Sequence, residues 1–202
     1  MVFGIVVEGQ RDANVYSTLI RRIRSDVDSV LSRPCEGGSG VRRKIVGWLK
    51  NFQWSGPRPV DKALIILDSD CGDPQSAEDE LAHILRQSGF QPTFPVHFYA
   101  TRCEVETWLL ADEGAVNLVA HGRHKTARAG AVTRPLEGIR DAKELFRRML
   151  SQARLPADPA VYAEVATAAA IDRIEQRCPY FRQFMDQLQI PRQRQTVVQL
   201  AG

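Results

Sequence analysis

A chain of 202 residues, 44% hydrophobic and 25% charged, has the make-up of an ordinary globular protein: one domain with an extension, or two very small ones. Its net charge of +3 is too small to mark a nucleic-acid binder, so the local distribution of charge must carry that question. No apolar run approaches the length that crosses a bilayer, and no charged-then-apolar leader follows Met1, so a cytoplasmic protein with no membrane partner is expected.

The first apolar run, Gly4-Ile5-Val6-Val7, reads as a strand that ends in Glu8 and turns at Gly9. Asp12 is placed to cap the helix that follows, whose apolar face is Val15, Leu19, Ile20 and Ile23. A second strand is predicted over residues 28–33, ended by Pro34 and a Gly37-Gly38-Ser39-Gly40 loop. Val41, Ile45, Trp48, Leu49 and Phe52 share one face of a second helix, broken at Gly56-Pro57. Leu64-Ile65-Ile66-Leu67 is a buried strand that opens through Asp68-Ser69-Asp70 into the turn Cys71-Gly72-Asp73-Pro74. A helix with Leu81, Ile84 and Leu85 inward stops at Gly89. A strand over residues 94–101 then runs into Cys103-Glu104-Val105-Glu106-Thr107-Trp108, where Trp108 falls at core spacing. This strand–helix alternation predicts an α/β fold with a mostly parallel, doubly wound sheet over residues 1–113. Residues 114–202 read as a polar, basic loop and a helical extension packed on it, with helices over 143–150, 161–174 and 181–188.

The chemistry concentrates at strand ends. If the extended geometry persists to Asp70, Asp68 and Asp70 project from the same side of their strand. Two carboxylates held that close repel each other unless a cation lies between them. Hard oxygen donors select Mg2+ or Mn2+. Glu8 ends the first strand and Glu104 follows the last one, so these acids are expected at one edge of the sheet. Glu104 and Glu106 diverge on a helix, and Glu104 is preferred because it lies closer to the strand tip. The cysteines Cys35, Cys71, Cys103 and Cys178 have no paired CxxC spacing, which argues against zinc or a disulfide framework; small buried thiols are expected. His121 and His124 lie in a polar stretch and read as solvated. Between Gly114 and Leu136 there is no Asp or Glu, while Arg123, Lys125, Arg128 and Arg134 occur. Such an arm suits phosphate-backbone contact or is a solvated loop.

The motifs Ile5-Val6-Val7-Glu8-Gly9 and Leu67-Asp68-Ser69-Asp70, in that order on two strands of a doubly wound sheet, resemble the Toprim domain of topoisomerases, primases and OLD-family nucleases. The run from Cys103 to Asp112, with Cys178-Pro179-Tyr180-Phe181 later, is similar to small stand-alone bacterial Toprim-like proteins often found beside an ATPase. The resemblance implies that Glu8 is a metal ligand or acid–base group, that Asp68 and Asp70 are the metal pair, and that Glu104 serves a second metal. Asp12 and Asp73 become outer ligands, and Lys143 or Lys125 the lysine that OLD-type sites carry near the metals. It implies a magnesium-dependent nuclease acting on DNA or RNA, with a separate ATPase subunit, in defence against phage; Arg123, Lys125 and Arg128 of the basic arm are then the expected phosphate contacts. The alternative is a non-catalytic Toprim-like module that binds or regulates such an ATPase. A phosphotransfer domain also clusters aspartates at strand ends, but in the dehalogenase type the DxD lies on the first strand.

Overall fold

The computed structural model describes residues 1–54 and 59–189; the helix break expected at Gly56-Pro57 and the end of the C-terminal extension lie outside the described residues. The chain runs β1 (Val2–Val7), α1 (Gln10–Ile23), β2 (Ser29–Pro34), α2 (Gly38–Trp54), β3 (Lys62–Asp68), α3 (Pro74–Gln87) and β4 (Val96–Thr101). Then follow α4 (Glu106–Leu109), α5 (Glu113–Gly122), α6 (Ala142–Gln152), α7 (Pro159–Ala168), α8 (Ile171–Arg177) and α9 (Phe181–Gln187). The four strands form one parallel sheet in the order β2-β1-β3-β4, flanked by helices, a Rossmann-like α/β fold. No helix of the described residues is long and apolar enough to cross a membrane.

Strand alternation divides the core into two layers. Phe3, Ile5, Val7, Leu64, Ile66 and Tyr99 face α1 and the C-terminal helices. Val6, Ala63, Ile65 and Leu67 face the other way, onto Val41, Ile45, Leu49 and Phe52 of α2 and Leu81 of α3. Because both faces are covered, β3 is apolar at every position from Ala63 to Leu67, as buried parallel strands are. Gly40 lets α2 start hard against the end of β2: a Cβ there would lie 1.5 Å from the Cys35 carbonyl oxygen.

The helices after β4 share the first layer's core. Trp108 is fully buried among Tyr16, Tyr99, Phe181 and Phe184, with ring centroids 4.8–6.3 Å apart. Asp112 fastens this region together. Its Oδ1 accepts from the amides of Gly114 and Ala115 at the start of α5, and its Oδ2 accepts from the Ala170 amide at 2.9 Å. That last bond falls where the backbone turns extended at Ala169, so the helix expected over 161–174 is two helices, α7 and α8. The stretch read as a basic loop begins as a helix, because Ala115, Val116, Val119 and Ala120 form a buried stripe on α5.

Candidate functional site

β1 and β3 are neighbours, yet α1 leaves β1 toward one face and α3 leaves β3 toward the other. In open α/β sheets such a reversal opens a crevice at the carboxyl ends of the strands, where ligands bind. Glu8 directly follows β1 and Asp68 ends β3, so the topology alone puts both there. They touch: the Asp68 amide donates to Glu8 Oε1 at 3.0 Å.

Alternation aims Asp68 toward α1, since Leu64 and Ile66 already face that side. There it meets more negative charge. The carboxyl of Asp68 is pushed well above the usual carboxylate range, first by burial and then by Asp12, Glu8, Glu106 and Glu104. Asp12 is the third residue of α1; the N-cap position belongs to Gly9. Burial, followed by repulsion from Glu8, raises Asp12 to about 6, against the opposing pull of Lys143 and the Gly9 amide. Tyr16, one helical turn on, bonds its hydroxyl to Thr101 at the tip of β4.

Glu104 and Glu106 arrive from the segment after β4. Glu104 Oε2 accepts from the backbone amide of Lys143 at 2.7 Å. This matters because α6 lacks its own side-chain cap: Asp141, at the N-cap, pairs with Arg148 instead. Glu104 thereby draws the first turn of α6 to the crevice, and Lys143 with it. Glu106 is only 2% exposed, and burial raises its carboxyl to about 7, with Lys143 opposing and Glu104 adding to the rise. A cleft of about 320 Å3 opens here, lined by Arg11, Asp12, Glu106, Lys143 and Pro159. The mouth of the crevice is thus acidic, with Lys143 and Arg11 as the nearby cations that act on Asp12.

The structure brings together Glu8, Asp12, Asp68, Glu104 and the side of α6 that carries Lys143. It does not gather Asp70 or Asp73. The extended geometry stops at Asp68; Asp70 has a φ of +48°, is exposed, and donates its amide to the Cys103 carbonyl. Asp73 caps α3, accepting from Gln75 and from the amide and hydroxyl of Ser76, bonds that hold its carboxyl below the usual range. Among the described residues, no group of three or more His, Cys, Asp or Glu is spaced to hold a metal ion as it stands. The donors fit a hard divalent cation in type and charge, but their side chains would have to close on it.

The cysteine expectation is corrected. Cys71 and Cys103 are bonded to each other across the turns that follow β3 and β4, while Cys35 and Cys178 are buried thiols. Spacing along the chain missed this because parallel neighbours bring residues 32 apart together. Glu106, set aside at the sequence level, carries one signal there: it is an acid inside the otherwise uncharged run Val105-Glu106-Thr107-Trp108-Leu109-Leu110.

The arm residues separate. Arg123 is held in a two-bond ion pair with Glu164 of α7, at 2.9 and 2.5 Å. Lys125 and Arg128 are exposed and line a groove with Asn117, Leu118 and His121.

A family model described as "Domain of unknown function (DUF4276)" matches residues 7–189. The chain belongs to the DUF4276 family. The matched span runs from the end of β1 past α9, so the DUF4276 domain includes the carboxylate crevice, Lys143 and the Cys71–Cys103 bridge. No curated protein and no solved structure matches this DUF4276 chain significantly.

Proposed function

We propose that this chain is a Toprim-type, magnesium- or manganese-dependent phosphodiester hydrolase acting on DNA or RNA. The observation that supports the reading is the convergence of Glu8, Asp12, Asp68, Glu104 and Glu106 at the sheet's reversal point, against a strong electrostatic penalty. Folding alone gives no reason to press these acids together, whereas a divalent cation would relieve the repulsion. A cation bound in such a site activates water and stabilises a departing oxygen. Glu8, Asp68 and Glu104 are the residues that would hold it, with Asp12 beside them. Glu106, raised to about 7, can keep a proton near neutral pH. Lys143 offers positive charge at the cleft mouth, where a phosphate would sit.

The resemblance to Toprim-like proteins adds a cytoplasmic setting, a separate ATPase partner and a part in phage defence to this proposal. Cleavage of single- and double-stranded DNA and RNA by the purified chain, with magnesium, manganese or a chelator, tests it. Cleavage that requires the cation and is absent in Asp68→Asn supports the reading; cation-independent or undetectable cleavage, alone and with a copurifying ATPase, removes it. A second reading, a non-catalytic module that binds an ATPase, draws on the lack of a ready-made metal group among the described residues. It expects complex formation that survives Asp68→Asn and no cleavage in any state.

A further inference from the structure

Asp68 ends β3 and Glu104 lies in the turn after β4, and a covalent bond joins the turns that follow the two strands. Cys71 lies three residues beyond Asp68, and Cys103 immediately precedes Glu104. Hydrogen bonds run across the same gap. Ser69 donates its amide to the Thr101 carbonyl at 3.0 Å, Asp70 to the Cys103 carbonyl at 3.2 Å, and the Cys103 amide donates to Ser69 Oγ at 3.2 Å.

The pairing of the two strands does not rest on the bridge. β3 and β4 are already laddered from Ala63↔Val96 to Asp68↔Thr101, and a hydrophobic core layer covers each face of the sheet. What the bridge holds is conformation. Asp70, Cys71 and Cys103 have φ values of +48°, +62° and +62°, in the left-handed region that residues with a Cβ disfavour. Non-glycine residues keep such geometry only when their surroundings enforce it. Cutting the bond takes one such restraint from the turn that places Glu104 and from the turn that follows Asp68.

We infer that Cys71–Cys103 is a redox latch on the carboxylate crevice: oxidised, it ties the turn that carries Glu104 to the turn beyond Asp68 and keeps the two acids beside each other, and reduction by a dithiol loosens that tie. The inference rests on the cation reading proposed above. In the cytoplasmic setting of that proposal, a disulfide is expected to be reversible rather than a permanent staple. Access is one-sided, since Cys103 is buried and Cys71 is part-exposed beside the exposed Gly72. A thiolate of the dithiol attacks Cys71 Sγ, the S–S bond breaks, and Cys103 leaves as a thiolate that takes up a proton. The second thiol of the reductant then displaces Cys71 from the mixed disulfide. Two electrons and two protons pass from the dithiol, which ends as its own disulfide, to the protein.

The test compares the intact chain before and after dithiothreitol, with Cys71→Ser/Cys103→Ser as a permanently open form. Magnesium binding is measured by calorimetry and amide hydrogen exchange by NMR. Reduction should weaken magnesium binding roughly tenfold or more, as disturbing the groups that support metal ligands does. It should speed exchange at the Ser69, Asp70 and Cys103 amides and leave the exchange of β1 and α2 unchanged. The double variant should behave as the reduced protein does. If magnesium binds equally tightly in both states, or if the oxidised, denatured chain shows all 4 cysteines as free thiols, the latch is wrong. If neither state binds magnesium, the cation reading has failed and the regulatory claim falls with it, a result distinct from equal binding.

Discussion

The carboxyl edge of the sheet and the arm after α5 carry opposite charge, and the fold treats the two charges in opposite ways. At the sheet edge, Asp12, Asp68 and Glu106 are drawn into low-dielectric surroundings beside other acids, and each is pushed toward its protonated form. Along the arm, Arg123 is neutralised by Glu164, and Lys125 and Arg128 stand in solvent. The arm's charges cost the fold little. Those at the sheet edge oppose it, and charge kept at a cost is a stronger mark of function than charge left in water.

The comparison breaks most sharply at Asp68. Asp68→Asn removes a carboxylate charge with almost no change of shape, so the nuclease activity proposed above should fall below detection in a gel-based cleavage assay. In chelator the same variant should unfold at a higher denaturant concentration than the parent, because the cost of burying that charge, and its repulsion by Asp12 and Glu8, is removed. A variant that cleaves normally removes Asp68 from the chemistry.

The pH dependence tests the cost itself. A carboxyl whose folded pKa exceeds its unfolded value binds its proton more tightly in the folded state, so its contribution is full below the unfolded pKa and lost as pH rises through the folded one. For Asp12 that window runs from 3.8 to about 6, and for Glu106 from 4.5 to about 7. Without divalent cation, the unfolding free energy should therefore fall across this window by on the order of a few kcal/mol, since each tenfold difference in proton affinity between folded and unfolded chain is worth about 1.36 kcal/mol. Glu106→Gln should flatten the upper half of the slope, and saturating magnesium should offset the loss above pH 7. Denaturant unfolding between pH 4 and 8 reads all three; stability that climbs through this window would contradict the assignment.

The arm gives smaller effects. Replacing Lys125 and Arg128 with Ala should weaken binding to many sequences alike and lower the log–log salt slope by about one unit for each duplex phosphate left without its cation. Arg123→Ala should leave that slope alone and cost less than about 1 kcal/mol of stability, the ordinary worth of an exposed ion pair. A salt-titrated binding series on the two variants separates them. Equal slopes for parent and Lys125/Arg128 variant would remove nucleic acid from the arm.

Much of the fold was legible because strand and helix periods differ and the apolar runs are clean: Leu64-Ile65-Ile66-Leu67, short and bounded by turn residues, reads as a buried strand, and Glu8 and Asp68 had to emerge at one edge once the sheet was parallel. What the sequence hid was local. Asp70 was grouped with Asp68 by a two-residue period that fails when the backbone turns left-handed one residue too early. Asp73 was read as a ligand when a helix beginning at Pro74 needed a cap, a signal present in the Asp-Pro pair itself. Asp12 and Glu106 meet only through tertiary packing of α1 against the segment after β4, which no spacing along the chain reports. Arg123 looked like a free arm charge because its partner, Glu164, lies on another helix.

The central claim is that the carboxylate edge takes a divalent cation. Manganese titration followed by loss of the free-ion EPR signal reads this without any assumption about substrate. We expect saturable binding that magnesium competes away, with affinity reduced in Asp68→Asn. Magnesium at a hundredfold excess over its dissociation constant should then stabilise the fold by about 2.7 kcal/mol. Free manganese that tracks total manganese throughout, or binding as tight in Asp68→Asn as in the parent chain, would contradict the account.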